Sequence, residues 1–161
     1  MPTRCFIFGL LLLAATPPAA ADQIKANALW LDVDVIGLTG DGQLRYVTGT
    51  GKQISRPYDQ ITSLRLDDYP KLQEGLELIE KREDRLAINV LTTINKPLKR
   101  GDAWVVWEAT RRIAAARDRL DQGLSAASAY ARLLEQKAHP VFLDRPPLAS
   151  VARLDLSLIH I

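Results

Sequence analysis

Hydrophobic and polar residues alternate with a period of two along the first part of the chain. Leu31, Val33 and Val35 are separated by two aspartates, a pattern typical of a strand with one buried face. Further alternating segments follow, and glycine-containing turns with the sequences GLTGDG and GTG separate them. Residues 22–66 are therefore predicted to form four or five short antiparallel strands, arranged as a small curled sheet or a small barrel.

After this region the hydrophobic period becomes that of an α-helix. Two aspartates shortly before Pro70 are typical of a helix start, because proline needs no hydrogen-bond donor in the first turn. Apolar positions three and four residues apart predict four helices between residues 67 and 138. The first begins near Pro70, and the others cover residues 84–94, 102–120 and 123–138. The predicted fold class is α+β.

The helical region contains a weak internal repeat. Ala87 is followed four residues later by Leu91, and Ala126, 39 residues after Ala87, is followed by Tyr130. A small side chain lets a neighbouring helix come close, and repeats of this length are typical of helical solenoids. The pattern resembles the second helix of tetratricopeptide repeats, although the first-helix pattern of that family is missing. The resemblance implies helices packed as tetratricopeptide-like hairpins.

The order of regions also resembles a class of exported bacterial proteins that is common in planctomycete-type genomes. The residues that carry this resemblance are DGQLRY at 41–46, GK at 51–52, RP at 56–57 and a segment of the form Ile-x-x-Leu-x-Leu-Asp at 61–67. In this class a signal peptide and a short β module precede tetratricopeptide-like helices. The resemblance implies an architecture more than an activity.

The N-terminal residues 1–21 are predicted to be a signal peptide. Arg4 precedes an apolar run over residues 5–15, and two prolines and three alanines then lead to Asp22. The run is shorter than the roughly 20 residues that span a membrane, so cleavage before Asp22 is favoured over a retained anchor. We expect a protein that is periplasmic, envelope-associated or extracellular. Cleavage would remove Cys5, the single cysteine, so the core must hold together without disulfides.

The C-terminal part of the chain divides into a predicted linker and a segment that resembles a translated cloning sequence. Residues 139–155 contain two adjacent prolines and are predicted to be an extended linker. Residues 156–161, LSLIHI, resemble the translation of a sequencing-library adapter. We therefore expect the natural protein to continue past about Asp155 and this chain to be a fragment of it.

Composition argues against several functional classes. The chain has 21 basic and 19 acidic residues, and this near balance, with export, argues against nucleic-acid binding. His139 is the single histidine before the C-terminal six residues, and the mature segment has no thiol, so neither nucleophilic catalysis nor zinc binding is expected. We predict no catalytic residues, no metal site, no cofactor and no stable membrane span after signal cleavage.

Trp104, Trp107 and Arg111 are the candidate partner-binding residues. Arg111 follows Trp107 by four residues, so its guanidinium could stack on that indole along one helix face. Tryptophan and arginine are enriched in binding hot spots. The alternative is that the tryptophans fill the core between helices while the arginines extend around them to solvent.

The combined hypothesis is a noncatalytic, exported scaffold that holds a protein or peptide partner, because stacked helix pairs present an extended concave surface. Two other hypotheses stay open at this point. The chain could be the N-terminal accessory region of an exported enzyme whose catalytic domain lies further downstream, or a structural subunit of the cell wall or of a membrane complex.

Overall fold

The computed structural model describes residues 21–143, in which a five-stranded antiparallel sheet is followed by four helices. The strands are β1 (Asp22–Ala26), β2 (Leu29–Leu38), β3 (Gln43–Thr48), β4 (Gln53–Pro57) and β5 (Ile61–Arg65). The helices are α1 (Pro70–Glu80), α2 (Asp84–Leu91), α3 (Ala103–Arg119) and α4 (Gly123–Glu135). The α+β prediction is confirmed. The predicted signal peptide up to residue 20, the linker from residue 144 and the six C-terminal residues lie outside the described residues.

The sheet is open, and the prediction of a small barrel is wrong. The strand order is β4-β3-β2-β1-β5, so β4 and β5 occupy opposite edges and do not pair with each other. The apolar side chains of the sheet pack against the helical layer instead, since both contribute to one cluster of buried residues. A sheet whose apolar face is covered by helices does not need to close on itself to bury that face.

Strand β1 lies beside the centre of the sheet, although the alternating pattern becomes clear only after it. Ile24 and Ala26 are buried, and they pair with residues of both β2 and β5. Asn27 and Ala28 form the tight turn to β2 with φ values of 51° and 65°. Such a turn normally carries glycine or asparagine at both positions, so an alanine there hides the hairpin from sequence-based prediction.

One hydrophobic core spans the predicted β module and the predicted helical region. Its fully buried members from the sheet include Ile24, Leu44 and Tyr46, and those from the helices include Leu72 and Leu91. The boundary predicted between residues 66 and 67 therefore separates two kinds of secondary structure that share a single core. No described helix has the length and continuous apolar character that a membrane crossing requires.

The helices begin near the predicted positions, and no side chain caps α1 or α3. Pro70 occupies the first turn of α1, as expected, whereas Tyr69 is the N-cap residue and makes no side-chain capping bond. Asp102 precedes α3, but its carboxylate accepts a hydrogen bond from the Tyr69 hydroxyl at 2.9 Å instead of capping the helix. Helix α2 ends at Leu91, three residues earlier than predicted, because the next residues form bonds of the shorter 3₁₀ type.

The helices pack in chain order, α1 on α2, α2 on α3 and α3 on α4. Ala87 and Ala126, the small residues of the weak repeat, are both fully buried. Asp84 in the first turn of α2 accepts two hydrogen bonds from Arg119 at the end of α3, at 3.0 and 2.5 Å. Gly75 permits a close approach between α1 and α2, since a methyl group there would lie 2.3 Å from Cδ2 of Leu91.

Substitution of Gly75 by alanine tests this close packing. Overpacking of a core costs about 1–3 kcal/mol, and the better helix propensity of alanine offsets about 1 kcal/mol. We expect Gly75→Ala to lower the free energy of unfolding by about 1–2 kcal/mol in urea denaturation. Gly49→Ala is the matched control, because no atom lies within 4 Å of a methyl group at that position. Equal stability of the two variants would contradict the close approach of α1 and α2.

Candidate functional site

Helix α3 carries all three candidate residues, and the structure places them differently. Trp104 is 2% exposed and belongs to the core, where its indole N–H has no hydrogen-bond partner among the described residues. Trp107 is half-buried at the edge of that core. Arg111 is also half-buried and lies further along the helix. Trp104 and Trp107 line the same groove, whereas Arg111 lines a separate cleft.

The tryptophan groove has a volume of about 320 Å³ and runs between the start of α3 and the β2–β3 turn. Its other walls come from the end of the chain that the structure describes. The groove is lined by Leu38, Thr39, Gly40, Gly101, Ala103, Trp104, Trp107, Lys137, Ala138, His139 and Pro140. Most of these side chains are apolar, so the groove suits an apolar segment that carries a few polar groups.

His139 lines this groove and makes hydrogen bonds to the backbone on both sides of its ring. Its Nδ1 accepts from the N–H of Val141 at 3.2 Å, and its Nε2 lies 3.3 Å from the carbonyl oxygen of Gly40. An accepting Nδ1 leaves the proton on Nε2, which then donates to Gly40. The ring also packs on Gly42, which has a φ of 79° and where a methyl group would lie 2.6 Å from the imidazole. His139 thus joins the C-terminal segment to the β2–β3 turn.

A short 3₁₀ turn, Pro140–Phe142, separates the arginine cleft from the tryptophan groove. Pro140 of this turn lines the groove, and Val141 lines the cleft. This turn falls at the start of the predicted linker, yet Phe142 is fully buried in the core. The cleft has a volume of about 270 Å³. It is lined by Tyr58, Asp59, Ile61, Thr62, Arg111, Arg112 and Val141.

The predicted stacking of Arg111 on Trp107 is replaced by contacts with two other aromatic rings. The Arg111 guanidinium carbon lies 6.0 Å from the ring centre of Tyr58 and 5.8 Å from that of Phe142. Trp107 instead packs edge-on against Phe142, with their ring centres 5.8 Å apart. Tyr58 belongs to the short 3₁₀ helix between β4 and β5, so these contacts connect the sheet to α3.

Glu108 is the residue of the site that sequence-based reasoning missed. Its side chain is 1% exposed and accepts hydrogen bonds from both neighbouring arginines. Arg111 donates to Oε2 through Nε at 3.0 Å and Nη2 at 2.7 Å, and Arg112 donates to Oε1 through Nε at 2.7 Å. The signal was present as a glutamate followed three and four residues later by arginines, but such spacing usually indicates an exposed helix face.

Two opposing effects determine the charge of Glu108. Burial is the largest single influence and raises the pKa of its carboxyl group. The positive charges and hydrogen bonds of Arg112 and Arg111 together outweigh burial, so the pKa lies below its ordinary value. The same pairing raises the pKa of Arg112. Glu108 is therefore a carboxylate at neutral pH, and it fixes both guanidinium groups.

Tyr58 lines the arginine cleft and carries a buried hydroxyl group. The residue is 4% exposed, and this hydroxyl has no hydrogen-bond partner among the described residues. Burial, followed by the negative charge of Glu108, raises the pKa of Tyr58 well above its ordinary value, so the hydroxyl keeps its proton. The cleft is thus lined by the Tyr58 residue, whose hydroxyl is closed off from solvent, and by two guanidinium groups, which are hydrogen-bond donors.

The described residues also define which chemistry the site offers. Between residues 21 and 143, no group of three or more histidine, cysteine, aspartate or glutamate side chains converges in a way that could hold a metal ion. The groove offers apolar contact, and the cleft offers hydrogen-bond donors.

Replacing Glu108 by glutamine tests the role of the buried carboxylate. Hydrogen bonds to a charged group contribute about 1.5–3 kcal/mol, so we expect Glu108→Gln to lower the free energy of unfolding by about this amount at pH 7. Because the folded-state pKa is depressed, this contribution is complete above the unfolded-state value of about 4.3 and is lost as pH falls through the lower folded-state value. The difference between the two proteins should therefore shrink below about pH 4.3.

Denaturant unfolding between pH 3 and pH 7 measures this difference, and Glu77→Gln is its control. Glu77 forms a 3.8 Å ion pair with Arg65, but both side chains are more than 40% exposed, at 44% and 42%. Exposed pairs contribute about 0–1 kcal/mol, so Glu77→Gln should change stability far less. A Glu108→Gln variant as stable as the Glu77→Gln variant would contradict the role given to Glu108.

Comparison with protein-family models, curated protein sequences and solved structures gives no match to this chain. The residues that define the groove and the cleft must therefore be interpreted from their own geometry.

Proposed function

We propose that this protein is a noncatalytic interaction module that holds a protein or peptide partner against helix α3. The observation that supports this proposal most is the tryptophan groove and the arginine cleft side by side, with the turn Pro140–Phe142 between them. An apolar depression next to a charged one can bind a short segment that carries both kinds of side chain.

The groups that would contact a partner are held in position before binding. Trp107 rests on Phe142, and Arg111 is fixed between Glu108 and the rings of Tyr58 and Phe142. A side chain that is already ordered loses little conformational entropy on binding, which favours affinity. Tryptophan and arginine are also the residues that contribute most often to binding hot spots.

Trp104 supports this surface from below. With 2% of its surface exposed, it can offer a partner little area, and its ring packs edge-on against Tyr58 at 6.0 Å. Trp107 and Arg111 would therefore make the direct contacts, while Trp104 forms the floor of the groove.

The helical layer is proposed to act as a tetratricopeptide-like scaffold. The burial of Ala87 and Ala126, the small residues of the weak repeat, supports this proposal. Leu124 and Leu134 on α4 are 73% and 55% exposed. Exposed leucines on the last described helix are side chains that a further stacked helix pair would cover. The near-neutral formal charge of +2 fits a protein partner better than a nucleic acid.

Peptide selection tests the proposed function. Phage-displayed peptides are selected on the intact chain, and their affinities are measured by fluorescence polarisation. We expect Trp107→Ala to weaken the selected peptides by about tenfold or more, as for a hot-spot residue. Leu86→Ala is the matched control, because Leu86 is 54% exposed on α2 and does not line the groove. Thermal melts of both variants confirm folding.

Three outcomes decide the proposal. Peptides that lose affinity for Trp107→Ala and keep it for Leu86→Ala support it. Equal binding of the peptides to both variants would show that the tryptophan groove is not the binding site. Failure to select any peptide would contradict the interaction function.

The protein is also proposed to be exported, with a signal peptide cleaved before Asp22. The fold is compatible with this site, because β1 begins at Asp22 and its carboxylate accepts hydrogen bonds from the backbone N–H groups of Val35 and Asp67 at 3.1 and 2.9 Å. We expect mass spectrometry of the protein recovered outside the cytoplasm to show Asp22 as the first residue. Recovery of the intact N-terminus in the cytoplasmic fraction would contradict export.

A further inference from the structure

We propose that residues 144–155 of this chain cover the exposed leucines of helix α4. These residues lie outside the part of the chain that the structure describes. This inference rests on the proposed scaffold, and it is independent of partner binding in the tryptophan groove. Three features support it: the spacing of apolar residues on α4, the small area that they offer, and the place where the described chain ends.

A stripe of four apolar residues runs along the outer side of α4. The leucine stripe consists of Leu124, Ala127, Ala131 and Leu134. Its members are three, four and three residues apart, so they share one side of the helix. Leu124 and Leu134 are 73% and 55% exposed. The buried residues of α4 lie on a different side of the helix; they are Ala126, Ala129 and Leu133.

The leucine stripe is too small to hold a separate molecule by itself. Ten residues of α-helix are about 15 Å long, and the two central members of the stripe are alanines. Stable interfaces between separate proteins bury about 800 Å² on each partner. A segment of the same chain needs far less area, because its tether keeps it at a high effective concentration. The stripe therefore suits a tethered segment better than a second copy of the chain.

The described chain ends beside the leucine stripe. Phe142 is fully buried, and the carbonyl oxygen of Leu143 accepts a hydrogen bond from the Tyr130 hydroxyl at 2.5 Å. Tyr130 precedes Leu134 by four residues, so the two side chains are neighbours on the surface of α4. The chain therefore continues from a fixed point next to the stripe.

The next twelve residues have the length and the side chains to cover the leucine stripe. Twelve residues reach up to about 40 Å, which is longer than the stripe. Leu148, Val151 and Leu154 recur at intervals of three. A polar residue, Ser150 or Arg153, precedes each of the last two. Apolar side chains at this spacing can be removed from water against the leucines of α4, which stabilises both.

Methyl NMR of the intact chain tests the contact directly. We expect nuclear Overhauser effects between the methyl groups of Val151 and those of Ala131 or Leu134. Absence of such effects from residues 144–155 to every member of the leucine stripe would overturn the proposal.

Matched substitutions measure what the contact contributes to stability. Leu134→Ser should lower the melting temperature of the intact chain by about 3 °C more than Leu86→Ser does. Leu86 is the control because the two leucines are similarly exposed among the described residues, at 55% and 54%. Val151→Ser should also lower the melting temperature. The double variant Leu134→Ser/Val151→Ser should lose less than the sum of the two single variants, because side chains in contact do not act additively. Additive losses, or equal melting temperatures of Leu134→Ser and Leu86→Ser, would contradict the proposal.

Sedimentation equilibrium distinguishes the other possible occupant of the stripe. A dimer that dissociates when Leu124 or Leu134 is replaced by serine would mean that a second copy covers the stripe, and it would overturn the proposal. A monomer in which the Overhauser effects appear supports it. Such a monomer without any selectable peptide would overturn partner binding in the groove and leave this proposal supported. Peptides that need Trp107 in a chain without the Overhauser effects would overturn this proposal alone.

Discussion

A single buried carboxylate connects the main parts of this protein. Glu108 on α3 fixes Arg111 and Arg112, and Arg111 lies over Tyr58 from the sheet side and over Phe142 from the C-terminal turn. Removing a charge from water is unfavourable, so the pair is stable only while both arginines keep their geometry. The ionic contact within α3 therefore orients a guanidinium group that contacts both the sheet side and the end of the described chain, beside the hydrophobic core that all three parts share.

This contact also explains why the groove and the cleft can lie so close together. Arg111 donates to Glu108, and Trp107 packs on Phe142. The turn that carries Phe142 then becomes a wall between an apolar depression and a charged one. A surface of mixed character arises here from packing around a buried ion pair, and His139 holds the outer wall in place through the β2–β3 turn.

The sequence predicts the kind and order of the elements because hydrophobic periodicity depends on local geometry alone. It does not predict β1 well, since the Asn27-Ala28 turn lacks the expected glycine, and it leaves the choice between open sheet and barrel unresolved. The candidate site was likewise predicted only in part. Helical spacing indicates which α3 residues share a face, but burial depends on distant segments such as the one carrying Phe142. The burial of Trp104 and of Glu108 could therefore be established only from the structure.

The position of β1 in the sheet has a consequence for how the chain folds. Its register joins Gln23 to Asp32 on one side and to Arg65 on the other, so its second partner arrives only after three more strands have been made. Closing this longer loop is entropically costlier than forming a hairpin, and it must precede completion of the core. A chain released gradually from its N-terminus would thus stay without its finished sheet until β5 emerges.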